Sequence, residues 1–133
     1  MAFAGTASAL LSCWEADPRS ADAALRAAAG AACRQLRGFA ARFPIGRPAA
    51  HFHDGVRQAL LGRRRRAARR WRLSLRSAGQ LGLPYDAAAA HFELGRHLGG
   101  DVGHIHLEQS RAAFESLGVV YDAARARAAA EGR

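Results

Sequence analysis

The sequence predicts an all-α protein in which antiparallel helical hairpins stack as a short α-solenoid, and three observations support this fold class. The segment LGLPYDAAAAHF at residues 81–92 recurs in part as LGVVYDAARARA at residues 117–128. The spacing of 36 residues is about the length of one helix–turn–helix unit in a solenoid. Apolar residues recur at spacings of three and four, as on one face of a helix, and no alternating pattern suggests a strand.

The N-terminal segment, residues 1–43, is predicted to hold two helices. Residues 3–14 have a helical composition that ends near Asp17. Ser20 is the expected N-cap of the second helix, because a serine hydroxyl accepts a hydrogen bond from the first-turn amides. Asp22 would then lie in the first turn, where the helix dipole favours an acid. The apolar stripe of this helix consists of Leu25, Ala29, Ala32, Leu36, Phe39 or Ala40, and Phe43.

Residues 44–120 are predicted to form two helical hairpins. Pro48 and Pro84 are placed to open a helix in each hairpin, because the fixed φ angle of proline suits the first turn. Residues 99–103, Gly-Gly-Asp-Val-Gly, are expected to form a flexible loop between the last two helices. The four helices are expected at residues 48–61, 64–80, 84–98 and 104–117.

Glycines mark the predicted ends of these helices, because glycine readily adopts the left-handed conformation of a helix C-cap. The expected C-cap glycines are Gly62, Gly82 and Gly118. Residues 121–133 are predicted to form a C-terminal capping helix with a polar outer face. The whole chain, residues 1–133, is expected to fold as a single helical-repeat domain.

The formal net charge of +9 comes entirely from arginine, since the chain has no lysine. Residues 34–76 hold thirteen arginines and one acid, Asp54, and therefore carry +12. The remaining residues hold seven arginines and ten acids, and therefore carry −3. Three interpretations of this basic middle stay open: a solvated helix face, contact with an acidic protein, and contact with nucleic-acid phosphates. The basic patch consists of Arg63, Arg64, Arg65, Arg66, Arg69, Arg70, Arg72 and Arg76.

Residues 44–127 resemble the tetratricopeptide repeat, which carries Leu-Gly in its first helix and a small residue followed by an aromatic in its second. Leu94-Gly95 match the first pair, and Ser110 and Phe114 match the second. In the preceding hairpin Gly55, Ala67 and Trp71 take the equivalent positions. The resemblance implies that Trp71 and Phe114 are buried between helices. It also implies a protein-binding groove lined by the first helix of each hairpin, at Phe52, Val56, Ala59, Ala89, Phe92 and Arg96.

A narrower resemblance concerns FPIGRP, WRLSLRSAGQLGLPYDAAAAHFELGRHL and HLEQSRAAFESLG. These segments look like the helical tail of large bacterial signalling proteins, in which a nucleotide-cyclase or serine/threonine-kinase module precedes an NTPase module. The chain has no phosphate-loop, glycine-rich kinase or HRD-type motif, so it would represent that tail without catalytic modules. A free-standing homologue, a fragment and a misread reading frame all stay open as its origin.

These features predict a non-enzymatic protein–protein interaction module that needs no cofactor and serves as a regulatory or scaffold element. A nucleic-acid-binding helical protein that uses residues 63–76 is the alternative. No apolar run approaches the roughly 20 residues that a membrane-spanning helix needs. Both cysteines, Cys13 and Cys33, are expected to be buried reduced thiols. We therefore expect a cytoplasmic protein without a membrane partner.

Histidines, aspartates and tyrosines offer further candidates. The pairs His51/His53 and His104/His106 would make poor metal chelates on a helix, because residues two apart point to different sides. The competing expectation is that His91 and His106 pack at a helix contact. The repeated residues Asp86 and Asp122 are expected to stabilise first turns rather than to act as an acid–base pair. The repeated tyrosines, Tyr85 and Tyr121, are attributed to packing.

Overall fold

A computed structural model describes the backbone of residues 2–132 and the side chains of residues 4–132. Met1 and Arg133, the ends of the predicted domain, lie outside the described residues. The described part consists of seven α-helices and one short 3₁₀ helix, without a strand, which confirms the all-α fold class. The helices are α1 (Ala2–Ala16), α2 (Ala23–Arg42), α3 (Arg47–Leu60), α4 (Arg64–Leu81), α5 (Pro84–Leu98), α6 (Gly100–Ser116) and α7 (Val120–Glu131), and the 3₁₀ helix is Pro44–Gly46. None of the described helices combines the length and apolarity needed to cross a membrane.

The chain divides into two compact units, where the sequence predicted one domain. Unit 1 is Met1–Arg70 and unit 2 is Trp71–Arg133, so the boundary lies within the continuous helix α4. In unit 1, α1, α2 and α3 pack against one another. In unit 2, α6 packs against both α5 and α7. Helices that are adjacent in sequence are therefore in contact within each unit, as expected for short connections.

The second helix begins later than predicted. Asp22 is its N-cap, and the Asp22 carboxylate accepts a hydrogen bond from the Leu25 amide at 2.8 Å. Ser20, the predicted cap, instead donates its hydroxyl hydrogen bond to the Asp17 carboxylate. The carboxylate of Asp22 suits the cap position because it accepts the amide hydrogen bond and carries a charge that the helix dipole stabilises.

The predicted loop at residues 99–103 is wrong, because only Gly99 separates α5 from α6. Gly99 and Gly100 both have positive φ angles, of 71° and 60°, and two such residues reverse the chain without a longer loop. Gly103 serves a close helix contact instead. A Cβ atom added to Gly95 would lie 2.5 Å from Leu107 Cγ and 3.0 Å from the Gly103 carbonyl oxygen. The glycines of this segment therefore let α5 and α6 approach closely.

The two copies of the sequence repeat have the same backbone structure. Gly82 and Gly118 have φ angles of 66° and 73°. The amide after each glycine donates to a carbonyl five residues earlier, from Leu83 to Ala78 at 2.9 Å and from Val119 to Phe114 at 3.0 Å. These bonds are typical of the Schellman C-cap, as predicted for these glycines. The next helix starts two residues after the glycine in both copies.

Each unit has its own buried apolar residues. Trp71 is fully buried and Phe114 is 3 % exposed, which confirms the predicted burial of both rings. In unit 1, Leu11 and Trp14 of α1 are buried one turn apart. Cys33 is buried as predicted, whereas Cys13 is exposed, because the neighbouring Trp14 takes the inward position on α1.

Candidate interaction surfaces

Helix α4 presents a line of arginines and contains no acidic residue. Arg65, Arg69, Arg72 and Arg76 are separated by four, three and four residues, so they share one face of the helix. All four side chains are exposed. We name these residues the basic stripe, of which Arg65 and Arg69 belong to unit 1 and Arg72 and Arg76 belong to unit 2. The adjacent Arg64 and Arg66 are also exposed.

Two residues of the predicted basic patch instead take part in polar contacts of unit 1. The Arg70 Nε atom lies 2.9 Å from Oδ2 of Asp54, a buried carboxylate of α3. Gln58 donates to the other carboxylate oxygen at 3.3 Å, and Arg63 donates to the Gln58 side-chain oxygen at 3.3 Å. Because a buried carboxylate needs compensating partners, Arg70 and Gln58 have a structural role here.

The six predicted groove residues fall in both units. Phe52, Val56 and Ala59 of unit 1 are half-buried, and Val56 packs against the Leu11–Trp14 core. In unit 2, Ala89 is half-buried and Arg96 is exposed. For these five residues the groove assignment stays a prediction.

Phe92 differs from the other predicted groove residues because its ring is buried in the core of unit 2. The guanidinium groups of Arg96 and Arg125 lie 5.2 Å and 4.6 Å from the ring centroid. The ring of Phe92 is therefore largely covered, and its place in the groove stays a prediction. The cause is Arg125, which follows in the next repeat copy and covers the ring, a contact that the local sequence does not reveal.

The two repeat turns of unit 2 present apolar side chains to solvent, a surface that the sequence analysis did not identify. Val120 and Tyr121 are 80 % and 75 % exposed. The packing role predicted for Tyr121 is therefore wrong, because its ring projects from the start of the last helix. We name this surface the repeat-turn patch, and its members are Leu81, Tyr85, Leu117, Val120 and Tyr121.

Tyr85 joins the two copies of the repeat. Its hydroxyl group donates to Oδ2 of Asp122 at 3.2 Å, and its ring contacts the Phe114 ring edge-on at 5.5 Å. Burial, and then the nearby Asp122 charge, raise the pKa of Tyr85, so the phenol stays protonated and donates at neutral pH. The packing role predicted for Tyr85 is therefore confirmed, although the ring is 48 % exposed. The recurrence of Tyr-Asp in both copies was the available signal for this contact.

The histidine pair of unit 2 lies at a helix contact, as predicted. The Nδ1 atoms of His91 and His106 are 2.9 Å apart. Burial and then His106 lower the pKa of His91 to about 4, and burial and then Arg72 lower the pKa of His106. Both rings are therefore neutral at pH 7, and one nitrogen donates while the other accepts.

No cluster suited to a metal ion occurs in the part of the chain that the structure describes, where three or more histidine, cysteine or acidic side chains would have to converge. Glu93 is buried and pairs with Arg96 at 3.1 Å. The His97 ring nitrogen lies 2.9 Å from the Glu93 carbonyl oxygen. Asp86 and Asp122 lie in the first turns of α5 and α7, as predicted.

Comparison with known proteins gives no relative that could assign a function. No family model, curated protein or solved structure matches the chain.

Proposed function

We propose that the chain is a non-enzymatic protein-interaction module and that the repeat-turn patch is its contact surface. The observation that carries this proposal is the exposure of Val120 and Tyr121 at the second repeat turn, next in sequence to Asp122, which accepts the hydrogen bond of Tyr85. Tyrosine and apolar side chains are enriched at the centres of protein interfaces, where they bury a large area with few rotatable bonds. Exposed apolar clusters of this kind mark interaction sites in helical proteins.

The charge of the basic stripe implies that the proposed partner presents an acidic surface. Its four exposed arginines lie on a helix without acids, so they attract a partner of opposite charge over about a Debye length. Such charges mainly raise the association rate, whereas buried apolar contacts mainly lower the dissociation rate. The resemblance to helical tails of bacterial signalling proteins supports a regulatory or scaffold role in the cytoplasm.

Nucleic-acid binding is the second candidate function, and the basic stripe favours it. A line of arginines is sufficient for sequence-independent contact with phosphates. The buried ring of Trp71 gives no stacking platform beside the stripe, as single-strand binding would require. Duplex binding through the stripe would lose affinity steeply with salt, with a slope of about −0.9 per phosphate neutralised.

A capture experiment from nuclease-treated host extract separates the two functions. The full chain is compared with a patch variant, Val120→Ser with Tyr121→Ser, and with a stripe variant in which the four stripe arginines become glutamine. Val102→Ser with Ile105→Ser is the matched control, because these α6 residues are also exposed and apolar. We expect one protein to be retained by the wild type and the control and lost from the patch variant. Equal retention by the patch variant would overturn the proposal.

The proposed absence of catalysis has its own test. The chain carries no nucleotide-binding motif, so purified protein should neither bind nor hydrolyse Mg-ATP. Isothermal titration and a phosphate-release assay measure these properties directly. A micromolar dissociation constant for Mg-ATP would refute the interaction-module proposal.

A further inference from the structure

Unit 1 contains a cleft of about 230 Å³ between α2, α3 and the first turns of α4. Three arginines from these three helices line it: Arg37, Arg47 and Arg70. Cys33, Ala40, Ala41 and Ala50 supply apolar walls, and His51 and Asp54 supply the remaining polar groups. Drug-sized ligands occupy larger sites, so this cleft suits a small chemical group.

The charges that line the cleft do not balance. The three arginines face one carboxylate, that of Asp54, which leaves two positive charges. Asp54 is bound through Nε of Arg70, and the two terminal nitrogens of this guanidinium are further hydrogen-bond donors. No carboxylate among the described residues forms an ion pair with Arg37 or Arg47, and both side chains are exposed at the mouth of the cleft.

The presence of three arginines along one cleft indicates the ligand chemistry. Arginine binds phosphate and carboxylate oxygens with paired, charge-assisted hydrogen bonds. Two uncompensated positive charges match a doubly charged anion better than a singly charged one.

His51 is a further titratable group of the cleft. Burial, followed by the positive charge of Arg70, lowers the pKa of His51. Asp54 raises this pKa and Arg47 lowers it to a smaller extent. An anion bound between the arginines would favour the charged imidazolium, so occupancy of the cleft should raise the His51 pKa.

We propose that this cleft of unit 1 binds a dianionic phosphate group, either free phosphate or a phosphate monoester, through Arg37, Arg47 and Arg70. The site lies wholly in unit 1, whereas the repeat-turn patch lies in unit 2, so the two proposals stand or fall separately. Free phosphate and a phosphate monoester both present a doubly charged group with tetrahedral oxygen geometry. A phosphodiester, as in nucleic acid, carries one charge and should bind weakly.

The test is an NMR titration of the full chain with inorganic phosphate at constant ionic strength. Arg37→Gln and Arg47→Gln remove cleft charges, and Arg19→Gln removes the same charge from an exposed position of unit 1 outside the cleft. We expect each cleft variant to bind phosphate at least about tenfold more weakly and the control to bind within about twofold of wild type. Equal affinity in all variants, or equal weakening by Arg19→Gln, would show diffuse attraction only and overturn the proposal.

Two further measurements use only the wild-type chain, so they do not depend on whether a variant folds. Phosphate should raise the pKa of the His51 ring in the wild-type chain, and an unchanged pKa would count against the site. Methyl phosphate should compete with inorganic phosphate, whereas dimethyl phosphate should compete at least tenfold more weakly. Equal competition by dimethyl phosphate would overturn a dianion site and indicate a nucleic-acid backbone site instead.

Discussion

Unit 1 and unit 2 use arginine in different ways. Residues 1–70 hold thirteen arginines and four acids and carry +9, whereas residues 71–133 hold seven of each and carry no net charge. The four carboxylates of unit 1 can therefore balance only a minority of its arginine charges. The chain thus joins a strongly basic unit to an electrically neutral one, although its total charge alone suggests a uniformly basic protein.

Four arginines of unit 2 contact neighbouring side chains, whereas its Arg72 and Arg76 are exposed members of the basic stripe. Arg111 pairs with Glu108 at 3.0 Å and with Glu115 at 2.8 Å, and Arg127 also pairs with Glu115. Exposed pairs of this kind contribute little to stability because solvent screens them, so their main consequence is charge balance. Unit 1 is therefore suited to attract anions, while the repeat-turn patch of unit 2 is suited to close contact with a partner.

The largest predicted effect is on stability, and it distinguishes a buried from an exposed aromatic ring in unit 2. Trp71→Ala should lower the free energy of unfolding by about 3–5 kcal/mol, because the fully buried ring leaves a cavity. Tyr121→Ala should change it by no more than about 0.5 kcal/mol, because the ring is exposed. Urea unfolding measures both values. A large loss in Tyr121→Ala would show that this residue is structural rather than a contact residue.

A second prediction compares two helical glycines. Gly95→Ala should destabilise the chain by about 1–3 kcal/mol, because the new methyl group would overlap Leu107 at the contact between α5 and α6. Gly79→Ala should stabilise it by about 0.5–1 kcal/mol, because nothing lies near its Cβ position on the exposed side of α4. Thermal or urea unfolding of the pair is the measurement. Similar effects in both variants would contradict the close packing of α5 on α6.

A third prediction concerns acid sensitivity, with one histidine in each unit. Burial lowers the pKa of His53 in unit 1 to about 4, and burial with His106 lowers that of His91 in unit 2 to about 4. The folded pKa lies below the unfolded value near 6.5, so the stability contribution is present above pH 6.5 and is lost as the pH falls towards 4. For His53 we expect a loss of about 1–2 kcal/mol between pH 7 and pH 5.

Histidine variants check the assignment of this acid sensitivity. His53→Gln and His91→Gln should each reduce the loss of stability between pH 7 and pH 5, measured by urea unfolding. His104→Gln, a change at an exposed histidine, should leave the loss as it is in the wild type. An unchanged loss in both buried-histidine variants would assign the acid sensitivity to other groups.

Much of the fold could be predicted because its signals are local. Pro84 and the C-cap glycines fix helix ends through their own φ angles, and helix α5 begins and ends where the sequence predicted. The burial of Trp71 was implied by the resemblance to the tetratricopeptide repeat, whose second helix carries a small residue followed by an aromatic. These features depend on residues within one or two turns of each other.

The surfaces could not be predicted because they depend on residues distant in sequence. Phe92 is buried partly because Arg125 covers its ring. Gly103 lies within helix α6, at the point where Gly95 of α5 comes close to it. Tyr85 and Tyr121 occupy equivalent repeat positions, yet only Tyr85 has the Phe114 ring beside it among the described contacts. The phosphate cleft likewise combines residues of three helices that the sequence separates by up to 37 positions.

The most direct test of the central claim measures binding rates of the captured partner to the wild type, the patch variant and the stripe variant. We predict that the patch variant raises the dissociation rate at least about tenfold, because apolar contacts hold the complex. The stripe variant should lower the association rate and its salt dependence while leaving dissociation within about twofold. The opposite pattern, with dissociation controlled by the stripe arginines and unaffected by Val120→Ser with Tyr121→Ser, would contradict the account.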